Sequence, residues 1–238
     1  MSYFTKATFT FLKDLKENNE RAWFQQNKHR YEDHVRDPAI RFITDFGAHL
    51  KTLSEHLRSD PRTVGGSMFR IHRDTRFSKD KTPYKTAIGI QFRHELGKDA
   101  HAPGYYLHID RGGCFAGAGM WHPDSPSLMK IRKAIVEDPQ AWKRTVGAKR
   151  FRDAYVLEGD RLKWPPRGFD LDHPLVEDLK RKDFIGVAKV PQKVVTDPKL
   201  PEELVKVFRA GTPLVELLCD AVGGTFLRNS GNPTAEIV

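Results

Sequence analysis

The pattern of apolar residues predicts an α+β fold: a mainly antiparallel sheet of about four to six strands, packed by N-terminal and C-terminal helices. Three observations predict it. Apolar residues recur at helical spacing over the first 58 residues and again beyond Pro201. Between about residues 86 and 121 the period changes to two. The links between those alternating segments are too short for a crossover helix, so neighbouring strands run antiparallel.

In chain order, Phe11, Leu12 and Leu15 mark one face of a short helix within Thr8–Leu15, and Asn18-Asn19 reads as a break. A second helix from Glu20 carries Trp23, Phe24, Asn27, Tyr31 and Val35. Asp37-Pro38 reads as an N-cap followed by proline at the first helical position. The third helix runs to about Leu57 with Phe42, Ile43, Phe46, Leu50 and Leu53 on one stripe, and Ser59-Asp60-Pro61 stops it. Four strands are expected next, over Ser67–Asp74, Thr86–His94, Gly104–Asp110 and Cys114–Trp121. Arg111-Gly112-Gly113 makes the last two a hairpin. Gly117 and Gly119 inside the fourth strand imply close approach of a backbone, a ring or a ligand. Helices are expected from Ser125-Pro126, from Asp138-Pro139 and, briefly, over Pro174–Lys182. Phe184–Val190 reads as a fifth strand. Pro201 opens a helix whose first turn holds Glu202 and Glu203, favourable to its dipole. Thr212-Pro213 restarts it and Gly223-Gly224 ends it. A single domain over residues 1–238 is the economical reading, with the polar stretch at about 228–238 as a flexible tail.

Composition narrows the function classes. Forty Lys and Arg against 31 Asp and Glu give a net charge of +9, with 39% hydrophobic and 30% charged residues, the profile of an ordinary soluble domain. No apolar run approaches the ~18 residues of a membrane span, so no membrane partner is expected. The start of the chain lacks a signal-peptide pattern, and Cys114 and Cys219 offer neither a disulfide framework nor a CxxC pair. A cytoplasmic location follows as the expectation, and no metal site is called. A phosphate-loop motif, the dinucleotide glycine fingerprint, a zinc helix and a nucleophile elbow are all missing. Neither an enzymatic activity nor a cofactor can be named.

The most informative segment is Ser67–Lys85, SMFRIHRDTRFSKDKTPYK. Six basic residues against Asp74 and Asp80 put +4 of the chain's +9 into nineteen residues, a local focus that gathers anions. Read as a strand, Met68–Asp74 turns Phe69 and Ile71 to the core and leaves Arg70 and His72 on the open face, roughly 6.5–7 Å apart. The third strand offers Tyr106, His108 and Asp110 on its open face. Arginine supplies a planar fork for phosphate or carboxylate, histidine carries a proton near neutral pH, and Asp110 can orient either. Thr82-Pro83-Tyr84-Lys85 would lie over such a site. The candidate anion-binding residues are therefore Arg70, His72, Arg73, Arg76, Lys81, Tyr84, Lys85, His108 and Asp110. Three readings stand side by side: a binding or catalytic site for an anionic small molecule, a non-catalytic module that holds nucleic acid or an acidic protein, and an internal ion-pair network. A second cluster, Lys143, Arg144, Lys149, Arg150 and Arg152, reads as a solvated helix face. Interleaved acidic residues make nucleic acid the weaker partner.

FRIHRDTRFSKDKTPYKTAIG at Phe69–Gly89, HAPGYYLHID at His101–Asp110 and GAGMWHP at Gly117–Pro123 resemble the conserved hypothetical DUF2461 family. PPRGFDLDHPLVEDLKRKDF at Pro165–Phe184 and FLKDLKENNERAWFQQNKHRYE at Phe11–Glu32 fit the same family. The resemblance covers nearly the whole chain. It implies one domain and carries no activity, cofactor or catalytic residue, because the family is one of unknown function.

Overall fold

A computed structural model describes residues 1–97 and 101–226; the tail expected from Arg228 lies outside the described residues. The fold is α+β around one antiparallel sheet in the order β1-β2-β3-β5-β4. The strands are β1 (Ile88–Arg93), β2 (Gly104–Ile109), β3 (Cys114–Met120), β4 (Val156–Glu158) and β5 (Phe184–Val190).

The N-terminal helices are α1 (Lys6–Glu17), α2 (Arg21–Gln26), α3 (Lys28–Tyr31) and α4 (Asp37–Lys51). Thr5 caps α1, accepting from the Ala7 N–H while Thr8 Oγ1 takes the Thr5 N–H. The cap expected at Asp37 does not form. A π-helical turn over Glu32–Arg36 carries α3 into α4 without a break, the wider turn accommodating a proline that has no N–H to give. Asp37 instead pairs with Arg36 Nε at 2.8 Å. Helix α4 ends at Lys51 rather than near Leu57, yet Leu53 and Leu57 still reach the core from the following turn.

Beyond the hairpin come α5 (Ser125–Glu137), α6 (Pro139–Gly147), α7 (Lys149–Ala154), α8 (Val176–Leu179), α9 (Gln192–Val195) and α10 (Leu200–Val222). Asp124 and Asp138 cap α5 and α6 through their carboxylates. Helix α10 passes through Pro213 unbroken, where a restart was expected, and ends on Gly223 in the left-handed conformation. It lies along β3, and its Phe208 ring stacks on Tyr105 at 4.5 Å while Thr212 Oγ1 meets the Tyr105 hydroxyl at 2.9 Å. These contacts hold the helix to the sheet whatever Pro213 costs.

The two faces of the sheet differ. One face, Ile88, Ile90, Phe92, Tyr105, Leu107, Ile109, Ala116 and Ala118, is buried with the apolar stripes of α4 and α10. Phe92 meets the rings of Phe42, Phe46 and Phe208 there. The other face follows from the strand register as three rows. They are Gly89–His108–Phe115–Lys189, Gln91–Tyr106–Gly117–Val187 and Arg93–Gly104–Gly119–Ile185.

The segment Ser67–Asp74 is not the strand its alternation predicts. It bonds to the edge of β1 only briefly, the Phe69 N–H donating to Gly89 O (2.9 Å) and the Gln91 N–H to Ser67 O (2.8 Å). It then leaves the sheet and pairs with Pro83–Lys85, the Arg73 and Lys85 N–H groups donating to Pro83 O and Ile71 O. The departure breaks the period of two. Ile71 does join the core, but Phe69 lies over the second face against Tyr106, 5.8 Å between ring centroids. No helix among the described residues is long and apolar enough to cross a membrane.

Candidate functional site

The second face carries a hollow because side chains are missing from it. Gly104, Gly117 and Gly119 form its floor, and Phe69, Tyr106, Phe115, Trp121, Ile185 and Val187 surround it, with Gln91 and Arg93 at one edge. The volume is about 320 Å³. Gly119 holds φ +130°, a backbone few side chains adopt. Gly89 explains the near wall: a Cβ there would stand 2.6 Å from both the Phe69 ring and the Tyr106 hydroxyl. The glycine lets Phe69 lie down on the sheet.

A second cavity of about 690 Å³, mixed in character, adjoins the first and shares Phe69, Tyr106 and Trp121 with it. Its lining includes Lys16, Arg73, Lys85 and His108 with Asp80, Thr82 and Tyr84. Lys85 is half-buried, its ammonium 5.2 Å from the Phe69 ring centroid. Burial, and secondarily the charge of Arg70, lowers its pKa, so the cation sits where an anion would relieve it. His108 stacks on Phe115 at 4.5 Å and its Nδ1 lies 3.1 Å from the Tyr106 hydroxyl. Burial lowers the His108 pKa against the opposing charge of Asp110, and burial pushes the Tyr106 phenol up to about 12. The neutral ring and the neutral phenol thus share one hydrogen bond at neutral pH.

Of the residues singled out in sequence, Arg73, Tyr84, Lys85 and His108 line this cavity. Tyr84 is not a loop side chain over the site: it is buried, stacked on Phe24 at 4.1 Å. Arg73 is bound to Asp80 and Thr82. The Asp80 carboxylate is held at about 2, first by the Thr82 N–H and then by Arg73. Arg70 and His72 are exposed outside the lining, His72 with its ring 5.2 Å from Tyr84. Arg76 forms a two-pronged pair with Asp74 in the turn, Lys81 donates to Thr75 O, and Asp110 accepts the Arg111 N–H at the hairpin. These groups hold the loop and the hairpin in shape. In the second basic cluster Arg144 reaches Asp138 and Lys149 reaches Asp153. His94 is a core residue, its Nε2 3.0 Å from Thr225 O.

Sequence reasoning missed most of the apolar half. Phe69 was assigned to the core, and Gln91, Arg93 and Trp121 were not called. It also missed Asn19, whose amide brackets the Tyr84 backbone, donating to Tyr84 O (2.9 Å) and accepting the Tyr84 N–H (3.0 Å). This bond ties the α1–α2 turn to the segment carrying Lys85. Trp121 is positioned from behind by the buried Asp183, which accepts the N–H groups of His122 (2.8 Å) and Asp160 (3.0 Å) and so fixes His122 at φ +46°.

The molecule is thus an α+β fold with an apolar hollow and, beside it, a cavity lined by Lys85, Arg73 and His108 on one face of an antiparallel sheet. The family model described as conserved hypothetical protein (DUF2461) matches residues 7–217, and the chain belongs to that family. No curated protein and no solved structure was found to match it.

Proposed function

We propose that the second face of the sheet binds a small molecule carrying a phosphate or carboxylate, with its anion at Lys85 and its apolar part over the glycine floor. The observation that supports this reading is that the two cavities adjoin, with Phe69, Tyr106 and Trp121 in the lining of both. A ligand spanning them would give a half-buried, charge-strained ammonium its counter-ion and would cover apolar surface on the sheet. His108, bonded to Tyr106, is the group fitted to carry a proton in such a site.

A non-catalytic module for nucleic acid or an acidic protein is the competing reading. It would draw on the exposed basic loop, where Arg73 and Arg76 are already neutralised by Asp80 and Asp74. Its signature would be a steep loss of affinity with salt.

Calorimetric titration with phenyl phosphate, and separately with its two halves, phenol and inorganic phosphate, tests the proposal. Phenyl phosphate is expected to bind at least about tenfold more tightly than either half, and Lys85→Met to remove that gain while leaving phenol unchanged. Equal affinity of phenyl phosphate and inorganic phosphate overturns the two-part site. Absence of binding overturns the reading altogether.

A further inference from the structure

We infer that the ligand of this face is an elongated dianion, with an apolar body over the glycine floor and a second acidic group, a carboxylate, at Arg93. This ligand class rests on the anion site proposed at Lys85 and adds an anchor at the opposite edge of the hollow. Arg93 closes β1 on the second face, in the row that runs through Gly104, Gly119 and Ile185. The side chain is partly buried, and its Nε donates to Gly97 O at 3.2 Å. Among the described residues its two terminal nitrogens have no acceptor, and both remain open to solvent.

The carboxylates around this cation belong to others. Arg93 borders the hollow on one side and a small polar cavity on the other, whose lining includes Asp60 and Glu95. Arg62 holds Asp60 in a two-pronged pair, and Arg58 and His56 hold Glu95. The Lys85 end repeats the arrangement, since Asp80, the acidic residue in its lining, is taken by Arg73. Lys85 and Arg93 are thus two cations without a carboxylate among the described residues, at opposite ends of an apolar hollow. Their spacing follows from the strand. The Phe69 ring, beside which the Lys85 ammonium sits, lies against Gly89. Gly89 and Arg93 stand four residues apart on β1, roughly 13 Å along a strand. A compact anion reaches one of the two cations. A molecule that reaches both is long, and its middle is apolar, because the hollow offers it aromatic rings and bare glycine backbone. The planar fork of Arg93 suits a carboxylate at the far end.

The test is a ruler of straight-chain dicarboxylates: succinate, adipate, suberate and sebacate. They are titrated calorimetrically beside octanoate, which has one charged end, and phenyl phosphate. One of the longer diacids is expected to bind at least about tenfold more tightly than both octanoate and succinate, because two anchored ends reinforce each other only when the body spans the gap. Arg93→Met is expected to lower that diacid to the level of octanoate and to leave phenyl phosphate unchanged. The monomethyl ester of the same diacid removes one charge without touching the protein. It is expected to lose the same gain, and that arm stands if the variant fails to fold. Diacids no tighter than octanoate, with phenyl phosphate bound, overturn the second anchor and leave the site at Lys85 intact. Failure of diacids and phenyl phosphate alike overturns both. A gain that survives Arg93→Met removes Arg93 from the site, and affinities that do not vary with chain length reduce the effect to net charge. Either result overturns the inference.

Discussion

The two faces of β1, β2 and β3 are made from alternating residues of the same strands, yet they have opposite characters. Along β1, Ile88, Ile90 and Phe92 are buried against helices, while Gln91 and Arg93 look onto a hollow and Gly89 lies under the Phe69 ring. Along β3, Ala116 and Ala118 pack under α10, while Gly117 and Gly119 supply a floor with no side chains. One face is filled; the other is kept empty by glycine and ringed by aromatic residues. Close packing stabilises the first, and leaving it out creates room on the second. Each face should therefore answer to its own kind of mutation.

The largest effect belongs to the filled face. Phe92→Ala opens a cavity among Phe42, Phe46 and Phe208. It is expected to lower unfolding stability by about 3–5 kcal/mol in urea titrations, while the remaining folded protein binds phenyl phosphate within about twofold of the parent. A large loss of affinity in the folded state would break the separation of the faces. Next comes Asp183→Ala, which leaves the N–H groups of His122 and Asp160 unpaired beside a buried space. A loss of about 1–3 kcal/mol is expected. Because Asp183 also fixes the backbone behind Trp121, a change in tryptophan fluorescence should accompany it, and its absence would detach Asp183 from the site. Gly89→Ala reaches the ligand as well. The new methyl displaces Phe69 and the Tyr106 hydroxyl, side chains at the border of the hollow. Stability is expected to fall by about 1–3 kcal/mol as two packed rings give way, while phenyl phosphate affinity falls roughly tenfold as the wall moves.

The contrast between the faces also marks where the sequence was legible. Ile88, Ile90 and Phe92, like Tyr105, Leu107 and Ile109, alternate strictly, and their burial, the strand type and the antiparallel hairpin all follow from that. β5 was readable for the same reason. The three-residue β4 was not: it is too short to show a period, and it exists because β5 offers it an edge. Phe69 misled because alternation assumes a continuous strand, whereas Ser67–Asp74 bonds to β1 at its start and then turns to Pro83–Lys85. The basic half of the site was partly visible as charge density around Lys85 and Arg73. Charge density does not say which cations are already paired, and Arg76 proves to be held by Asp74. The apolar half is defined by absent side chains at Gly104, Gly117 and Gly119, which only the register between strands brings together.

The smallest predicted effect lies on the second face and has opposite signs with and without ligand. Burial lowers the His108 pKa in the folded protein, with Asp110 opposing. The neutral ring is therefore the stabilised form. Its contribution to stability is present above the ordinary histidine pKa and is lost as the pH falls below that value toward the lowered one. Lys85 lines the same cavity, Lys189 stands in the same row beyond Phe115, and the Tyr106 hydroxyl is hydrogen-bonded to Nδ1. An anion bound at Lys85 would favour the charged ring, so binding should take up a proton and strengthen on acidification. Benzenesulfonate serves as the probe because its own charge does not change over this range. The expected result is tighter binding at the acid end, with proton uptake seen as a buffer-dependent calorimetric enthalpy. The free protein should become less stable over the same interval. His108→Asn should flatten both slopes together. If only the stability slope flattens, His108 is a packing residue of the sheet and the anion sits elsewhere along the basic cavity.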